Sequence, residues 1–312
     1  MTTTETPPLP TTGDRRVGDA VFAGTAKAAG ILILVVLAGV ALFLITEAQP
    51  AITAAPEDVP GGEGLTAYIG PLIFGTLLAA VIALVVATPL AVGIALFITY
   101  FAPRKLAQTL GYVVDLLAAI PSVVFGFWGI FALAPALVPL FGWLEENLGF
   151  IPLFAGPASS TGRTMLTAGL VLAVMILPII SAISREVFRQ APTLHQEAAL
   201  ALGATRWEMI KMAVLPYGRS GVIGGAMLGL GRALGETLAI ALVLSVSGGI
   251  TFNLISSGNP STIAANIALN FPESTGLDVN ALIASGLALF VITLAVNMAA
   301  RYVVNRRADF TE

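Results

Sequence analysis

From Gly64 to Pro103 this chain carries no charged side chain, and from Ala28 to Thr46 another 19 residues run without one. A helix needs ~20 apolar residues to cross the hydrocarbon of a bilayer, so runs of this length are read as membrane helices. The rest of the chain agrees. Only 11% of its 312 residues are charged, against about 25% in an ordinary soluble domain, and its mean hydropathy is +0.92. The expectation is an all-α polytopic membrane protein whose surface faces lipid as much as water.

Six spans are predicted. The first is Ala28–Thr46, and its length exceeds the 7–15 residue apolar core of a signal peptide, so it reads as a retained helix. The second lies within Tyr68–Phe101, with a kink expected at Pro89. The third runs from about Leu106 to Leu140, holds Asp115 near its start and is broken at Pro121-Ser122. Spans four to six are Thr164–Ile183, roughly Ser220–Gly249, and Val279–Ala300. The Thr- and Pro-rich segment 1–26 reads as a disordered tail. The expected organisation is therefore a tail (1–26), a first helix with its outer loop (27–67), a transmembrane domain (68–304) with a cytoplasmic loop over 184–219, and a short C-terminal tail (305–312).

Basic residues give the orientation. Of the 15 Lys and Arg, three precede span one, Arg104 and Lys105 follow span two, and Arg185, Arg189, Arg206, Lys211 and Arg219 lie between spans four and five. Arg301, Arg306 and Arg307 follow span six. The three opposite loops hold Arg163 among Glu47, Glu57, Asp58, Glu63, Glu145, Glu146, Glu273 and Asp278. The positive-inside rule then places both termini in the cytoplasm of a cell whose plasma membrane this chain crosses several times. In the last outer loop, the apolar patch Ile263–Leu269 suggests a short helix at the outer surface.

Several function classes fall away. The chain has no cysteine, which removes disulfides, thiolate metal sites and cysteine nucleophiles, and its single histidine, His195, makes no metal cluster. A phosphate-cradling P-loop needs a Gly-Lys step, and none of Lys27, Lys105 and Lys211 follows a glycine. The chain is expected to hydrolyse nothing and to bind no cofactor, metal or nucleic acid.

The loop between spans four and five reads as a helical hairpin. Thr193-Leu-His-Gln196 and Thr205-Arg-Trp-Glu208 both fit the capping-box pattern, Gly203 is placed to end the first helix, and Pro216 to end or kink the second. Composition alone also permits an amphipathic hairpin resting on lipid headgroups. Glu197-Ala198-Ala199, Gly203 after three residues, and Leu215-Pro216 further on resemble the EAA loop of bacterial ABC importer permeases, with Ala213 where isoleucine is usual. That resemblance implies a type I ABC importer permease (MetI-like) fold and assigns Glu197, Ala198, Ala199, Gly203, Leu215 and Pro216 to a hairpin that seats in a cytoplasmic ATPase.

Within span five an arginine costs roughly 2.5–3.5 kcal/mol at a helix centre, which marks Arg232 as functional by default. Glu236 lies one helical turn on. Two readings fit: an ion pair that neutralises itself, or an anion-recognition pair in which the guanidinium forks onto two oxygens of a tetrahedral oxyanion. Gly221, Gly225 and Gly229, with Gly231 and Gly235, form small-residue faces suited to close helix packing.

Gly231-Arg232-Ala233-Leu234-Gly235-Glu236-Thr237, with Ala119-Ile120-Pro121-Ser122-Val123-Val124-Phe125-Gly126-Phe127-Trp128-Gly129, resembles the phosphate-specific transport permeases, of PstC-like more than PstA-like type. The resemblance implies a PstA-like permease partner, two copies of a PstB-like ATPase holding ATP and Mg, and an external PstS-like phosphate-binding protein. It places Arg232 and Glu236 on the substrate path. Ser122, beside the helix break, is a further candidate, while Thr76, Asp115 and Thr237 suit structural roles equally well. Permeation of sulfate or molybdate, an ion-coupled secondary transporter and a sensing receptor are the alternatives.

Overall fold

The computed structural model describes residues 17–308, with side chains from 18 to 302. Twelve α-helices and short π and 3-10 turns carry the described chain, apart from one isolated bridge between Val246 and Asn259. Helix α1 spans Val17–Thr53. The tail expected over 1–26 is thus helical from Val17, where Val21, Phe22 and the alanines extend the apolar run; residues 1–16 lie outside the described residues. Through Glu47 this helix belongs to a unit of its own, and its apolar side chains are exposed.

The second unit is built on α2 (Leu65–Leu96), which continues through Pro71 and Pro89 and ends in a π turn over Phe97–Phe101. Ala79, Ala83, Ala87, Ala91 and Ala95 recur every fourth residue and are essentially inaccessible. One small-residue stripe lets a neighbouring backbone approach closely. That neighbour is α6 (Met165–Arg189), below.

Helix α3 (Arg104–Ala119) corrects the expected third span. The break at Pro121 falls where expected, but α3 is a separate amphipathic helix with Arg104, Lys105, Gln108 and Asp115 on it, too polar to cross. It packs through Gly111 and Val114, and Arg185 Nη2 meets Asp115 Oδ1 at 3.2 Å. Asp115 therefore has a structural partner. The apolar crossing starts after the proline, as α4 (Ser122–Trp128), a π turn over Gly129–Leu133, and α5 (Ala134–Leu148). Residues 141–148, expected in an outer loop, complete this helix.

Thr164 caps α6, its hydroxyl accepting the Thr167 amide at 3.2 Å. The hairpin follows as α7 (Thr193–Ala201) and α8 (Arg206–Met209). Helix α9 (Leu215–Leu234) is joined to α8 by a π turn over Ile210–Val214, so one unbroken helical path runs from Arg206 to Leu234. Pro216 neither ends it nor leaves an orphan carbonyl clash: the π turn just before it widens the coil where the ring would collide with the preceding turn.

After α9 come α10 (Leu238–Val243), α11 (Ile263–Asn270) and α12 (Leu277–Ala308). Helix α11 is the short helix expected over Ile263–Leu269; its C-terminal end, with Leu269, is exposed, and its start is buried. Ile263 and Ala265 are buried, the Ile263 amide donates to Thr76 Oγ1 at 3.0 Å, and Gly75 leaves room for the Ser261 carbonyl. Thr76 thus docks the outer loop on α2.

Among the described residues, five helices are long and apolar enough to cross a membrane: 18–53, 65–101, 122–148, 165–189 and 277–302. The remaining expected crossing, span five, is divided between α9 and α10. The main core joins α2, α6, α9 and α10 through residues such as Ala83, Leu172, Ile176, Leu230, Ala233 and Ile240. Around it, Val85, Leu116 and Phe131 remain exposed, as side chains facing lipid do.

Candidate functional site

The glycine faces of α9 separate into two. Gly218, Gly221, Gly225 and Gly229 lie against Phe188, Val187, Ile183 and Ile180 of α6, where added Cβ atoms would meet side chains at 2.6–3.3 Å or closer. Gly224 and Gly231, on the other side, face open space. The packed face holds α9 rigidly against α6 up to the point where it stops.

It stops at Leu234. Gly235 adopts φ −94, ψ 1, and the chain turns through Glu236 and Thr237 before α10 begins. Glycine is a poor helix former, and Thr and acidic side chains offer the backbone alternative partners. Both alternatives are used: Thr237 Oγ1 donates to the Gly235 carbonyl at 3.1 Å, and Glu236 Oε1 accepts the Ala239 amide at 3.3 Å. Glu236 is only 8% exposed.

This break removes the one-turn relationship expected between Arg232 and Glu236. No ion pair joins them among the described residues. Arg232, half-buried in the last turn of α9, has no hydrogen-bond or ion-pair partner among those residues either, so the five donors of its guanidinium remain unspent.

Ser122 is the first residue of α4, directly after Pro121, and its hydroxyl has no partner among the described residues. Helix α4 packs on α10 through two glycines. A Cβ on Gly126 would lie 3.0 Å from Ala239 Cα and 2.8 Å from Leu242 Cδ1, and one on Gly129 would lie 2.7 Å from Val243 Cγ2. That order runs the two segments parallel and brings the start of α4 to the level of Glu236 and Thr237. Two helix breaks, each exposing backbone at the head of a half-helix, are thereby set side by side, an arrangement tolerated at membrane depth only inside protein or along a cavity.

A residue with no assigned role in the sequence fixes the other end of α10. Arg163 Nη2 donates to the carbonyls of Leu242 and Leu244, both at 3.2 Å. Its signal was its isolation, as the lone base among acidic loops. Below it, buried Asn259 accepts the Met165 amide at 3.0 Å and donates to the carbonyls of Ser245 and Ser256, tying the 244–262 segment to α6.

The hairpin is the second candidate region. Gly203 at φ +86 ends α7, and Thr205 and Glu208 form the expected capping box: Thr205 N to Glu208 Oε2 at 2.8 Å and Glu208 N to Thr205 Oγ1 at 3.3 Å. The Thr205 amide, then its hydroxyl, hold the Glu208 carboxyl below its ordinary pKa, with a smaller contribution from Lys211. The box expected at Thr193 does not form. Pro192 takes the cap position, and Gln196 Nε2 reaches the Ala191 carbonyl at 2.9 Å instead.

Met209, Ile210 and Val214 anchor the hairpin to Ala95, Leu96 and Phe188, with Ala199 and Leu215 packed beside them. Glu197, Ala198, Gly203 and Pro216 are exposed, as are Leu194, Leu202, Trp207 and Met212, with Lys211 Nζ 5.8 Å from the Trp207 ring centre. Leu202 is 90% exposed, an unusual cost for a leucine in water.

Residues 87–309 match the family described as binding-protein-dependent transport system inner membrane component. Among named proteins, the phosphate transport system permease protein PstC 2 of Mycobacterium tuberculosis is 46% identical, covering 94% of this chain and 94% of that one. The phosphate transport system permease protein PstC of Mesorhizobium japonicum is 41% identical over 92% of this chain and 90% of its own length. Among solved structures, a bacterial ABC transporter that imports the polysaccharide alginate aligns over 91% of this chain and 98% of its own, with TM-score 0.56 at 17% identity. The MetNI methionine ABC transporter in an inward-facing conformation covers 76% and 93%, with TM-score 0.50 at 18% identity. At those identities the two structures speak for the fold.

Proposed function

Because this chain belongs to the family of binding-protein-dependent transport system inner membrane components, we propose that it is the permease subunit through which an ATP-driven importer passes inorganic phosphate. The relatives named above support the substrate. The observation that carries the site is Arg232, a membrane-depth cation with no acceptor among the described residues, set beside the paired helix breaks.

Phosphate enters between this chain and a homologous partner permease. The Arg232 guanidinium receives two of its oxygens in a bidentate fork. Glu236, held by the Ala239 amide, presents its remaining acceptor capacity to the acidic P–OH of the anion. Sulfate has no such proton at neutral pH and meets carboxylate repulsion instead. The Ser122 hydroxyl supplies a further donor at the same level. The anionic oxygens and the single acidic hydroxyl of one ligand are thus read by one cation and one carboxylate.

The basic residues orient the chain with both termini and the hairpin in the cytoplasm. The exposed apolar face of α7 and α8 docks into a partner ATPase, which binds ATP and Mg; the external loops receive phosphate from a soluble binding protein. The unbroken path from Arg206 to Leu234 is about 40 Å long at ~1.5 Å per residue. A tilt of the hairpin is carried along it to the break at Gly235, which is how ATP-driven closure reaches the anion.

Uptake of radiolabelled phosphate by proteoliposomes containing the whole complex tests the reading. An excess of unlabelled phosphate should abolish the signal, and the same excess of sulfate should leave it intact. Equal suppression by both would reject phosphate as the selected substrate.

A further inference from the structure

Between the middle of α9 and residues 297–301 of α12 lies a cavity of about 310 Å³, lined by Ser220, Gly224, Met227, Leu228, Asn297, Ala300 and Arg301. Its inner end, at Leu228, lies one helical turn before Arg232 on α9, and its outer end, at Ser220 and Arg301, lies toward the hairpin. Its lining changes character along its length. Ser220 and Arg301 occupy the end nearest the hairpin, Asn297 sits one turn deeper on α12, and Met227 and Leu228 line the end toward the bilayer centre. Eight residues of helix separate Ser220 from Leu228, about 12 Å of depth.

Among the described residues nothing uses the polar end. The side chains of Ser220, Asn297 and Arg301 make no hydrogen bond or ion pair with any described residue. Gly224, with no atom within 4 Å of where a Cβ would stand, leaves the middle of the groove open. Arg301 is the first charged residue of α12 after Asp278, and Arg219 adjoins Ser220. The groove is therefore cationic at the headgroup level and apolar beneath.

We propose that this groove binds the phosphate ester of one anionic glycerophospholipid of the cytoplasmic leaflet. Its headgroup oxygens meet Arg301, Asn297 and Ser220, and its first acyl carbons lie over Gly224 onto Met227 and Leu228. The leaflet follows from the orientation proposed above; the occupancy does not depend on the transported substrate. A free phosphate ion matches the polar end equally well, but it leaves the apolar end filled with water, whereas a lipid satisfies both. The match of charge to an anionic leaflet is what selects this occupant.

The test is native mass spectrometry of the intact complex, purified from nanodiscs of equal phosphatidylglycerol and phosphatidylcholine and then delipidated in mild detergent. One phosphatidylglycerol per copy of this chain should survive in preference to phosphatidylcholine, and 10 mM inorganic phosphate should not displace it. Arg301→Gln should lower retention about fivefold, the effect of one basic residue at an anionic surface. Gly224→Leu, which fills the groove without altering its charge, should lower it as much. Equal retention of the two lipids by the unaltered complex, displacement by phosphate, or unchanged retention in either assembled variant would overturn the proposal. The lipid comparison and the phosphate competition need no substitution, so they decide even where a variant fails to assemble. Because retention is read without transport, its failure leaves the phosphate reading standing, and the reverse.

Discussion

The Ala239 amide donates to Glu236 Oε1 at 3.3 Å, so the carboxylate four residues after Arg232 is fastened to the start of α10 and not to the guanidinium. The helix break between them turns the one-turn pair that spacing suggests into two separately held charges. One has its partner in the backbone; the other has none among the described residues.

This separates the structural role of Glu236 from its charge. Glu236→Gln keeps an oxygen able to accept the Ala239 amide, and Glu236→Ala does not. Thermal unfolding of the purified complex should show the alanine variant less stable by about 1 kcal/mol, the usual effect of losing a side-chain cap, and the glutamine variant near the parent. In transport, Glu236→Gln should admit sulfate as a competitor, because the repelling charge is gone.

The contact between α4 and α10 rests on missing Cβ atoms. Gly126→Ala would set a methyl 3.0 Å from the Ala239 Cα, a backbone atom that cannot rotate away. Overpacking of this kind costs about 1–3 kcal/mol. Gly224→Ala faces open space and should be neutral or slightly stabilising, since alanine is the better helix former. Parallel melting curves of the two variants check the contrast, and Gly126→Ala should also slow uptake, by moving one helix break against the other.

The hairpin carries a pH signature. Folding lowers the Glu208 carboxyl from its ordinary value of 4.5, chiefly through the Thr205 amide. The stabilisation is therefore fully present above that ordinary value and is lost as pH falls through the lowered folded one. Amide exchange at the start of α8, corrected for the intrinsic rate, should stay protected from neutral pH down to the mid-4 range and open below it. Glu208→Gln should remove the dependence.

Much of this organisation was legible in the residues, and the exceptions are instructive. Pro121 announced its break because a proline cannot donate, and Gly203 announced its turn because φ +86 suits few other residues. The break at Gly235 was not legible. Gly-Glu-Thr is only mildly unfavourable in a helix, and what settles it is tertiary: α10 is held apart by Gly126 and Gly129 of α4 and by Arg163 on its last carbonyls. Pro216 does not end its helix, since a π turn just before it absorbs the ring and lets the helix continue. Thr193 lost its cap to Pro192, whose backbone already had the extended geometry of a cap residue. Span three began sixteen residues later than its apolar content suggested, because the buried face of α3 packs against α6 and its polar face carries Asp115 to Arg185.

The central claim is that Arg232 receives the transported anion. ATP-driven phosphate uptake by proteoliposomes containing the complete complex, with Arg232→Ala in this chain, tests it most directly, with ATPase assembly confirmed by co-purification. Uptake should fall by about 100-fold or more, the scale of losing a bidentate charge-assisted contact, and Arg232→Lys should restore only part of it, because a point charge cannot make the fork. An assembled Arg232→Ala complex that imports phosphate at the parental rate would contradict the account.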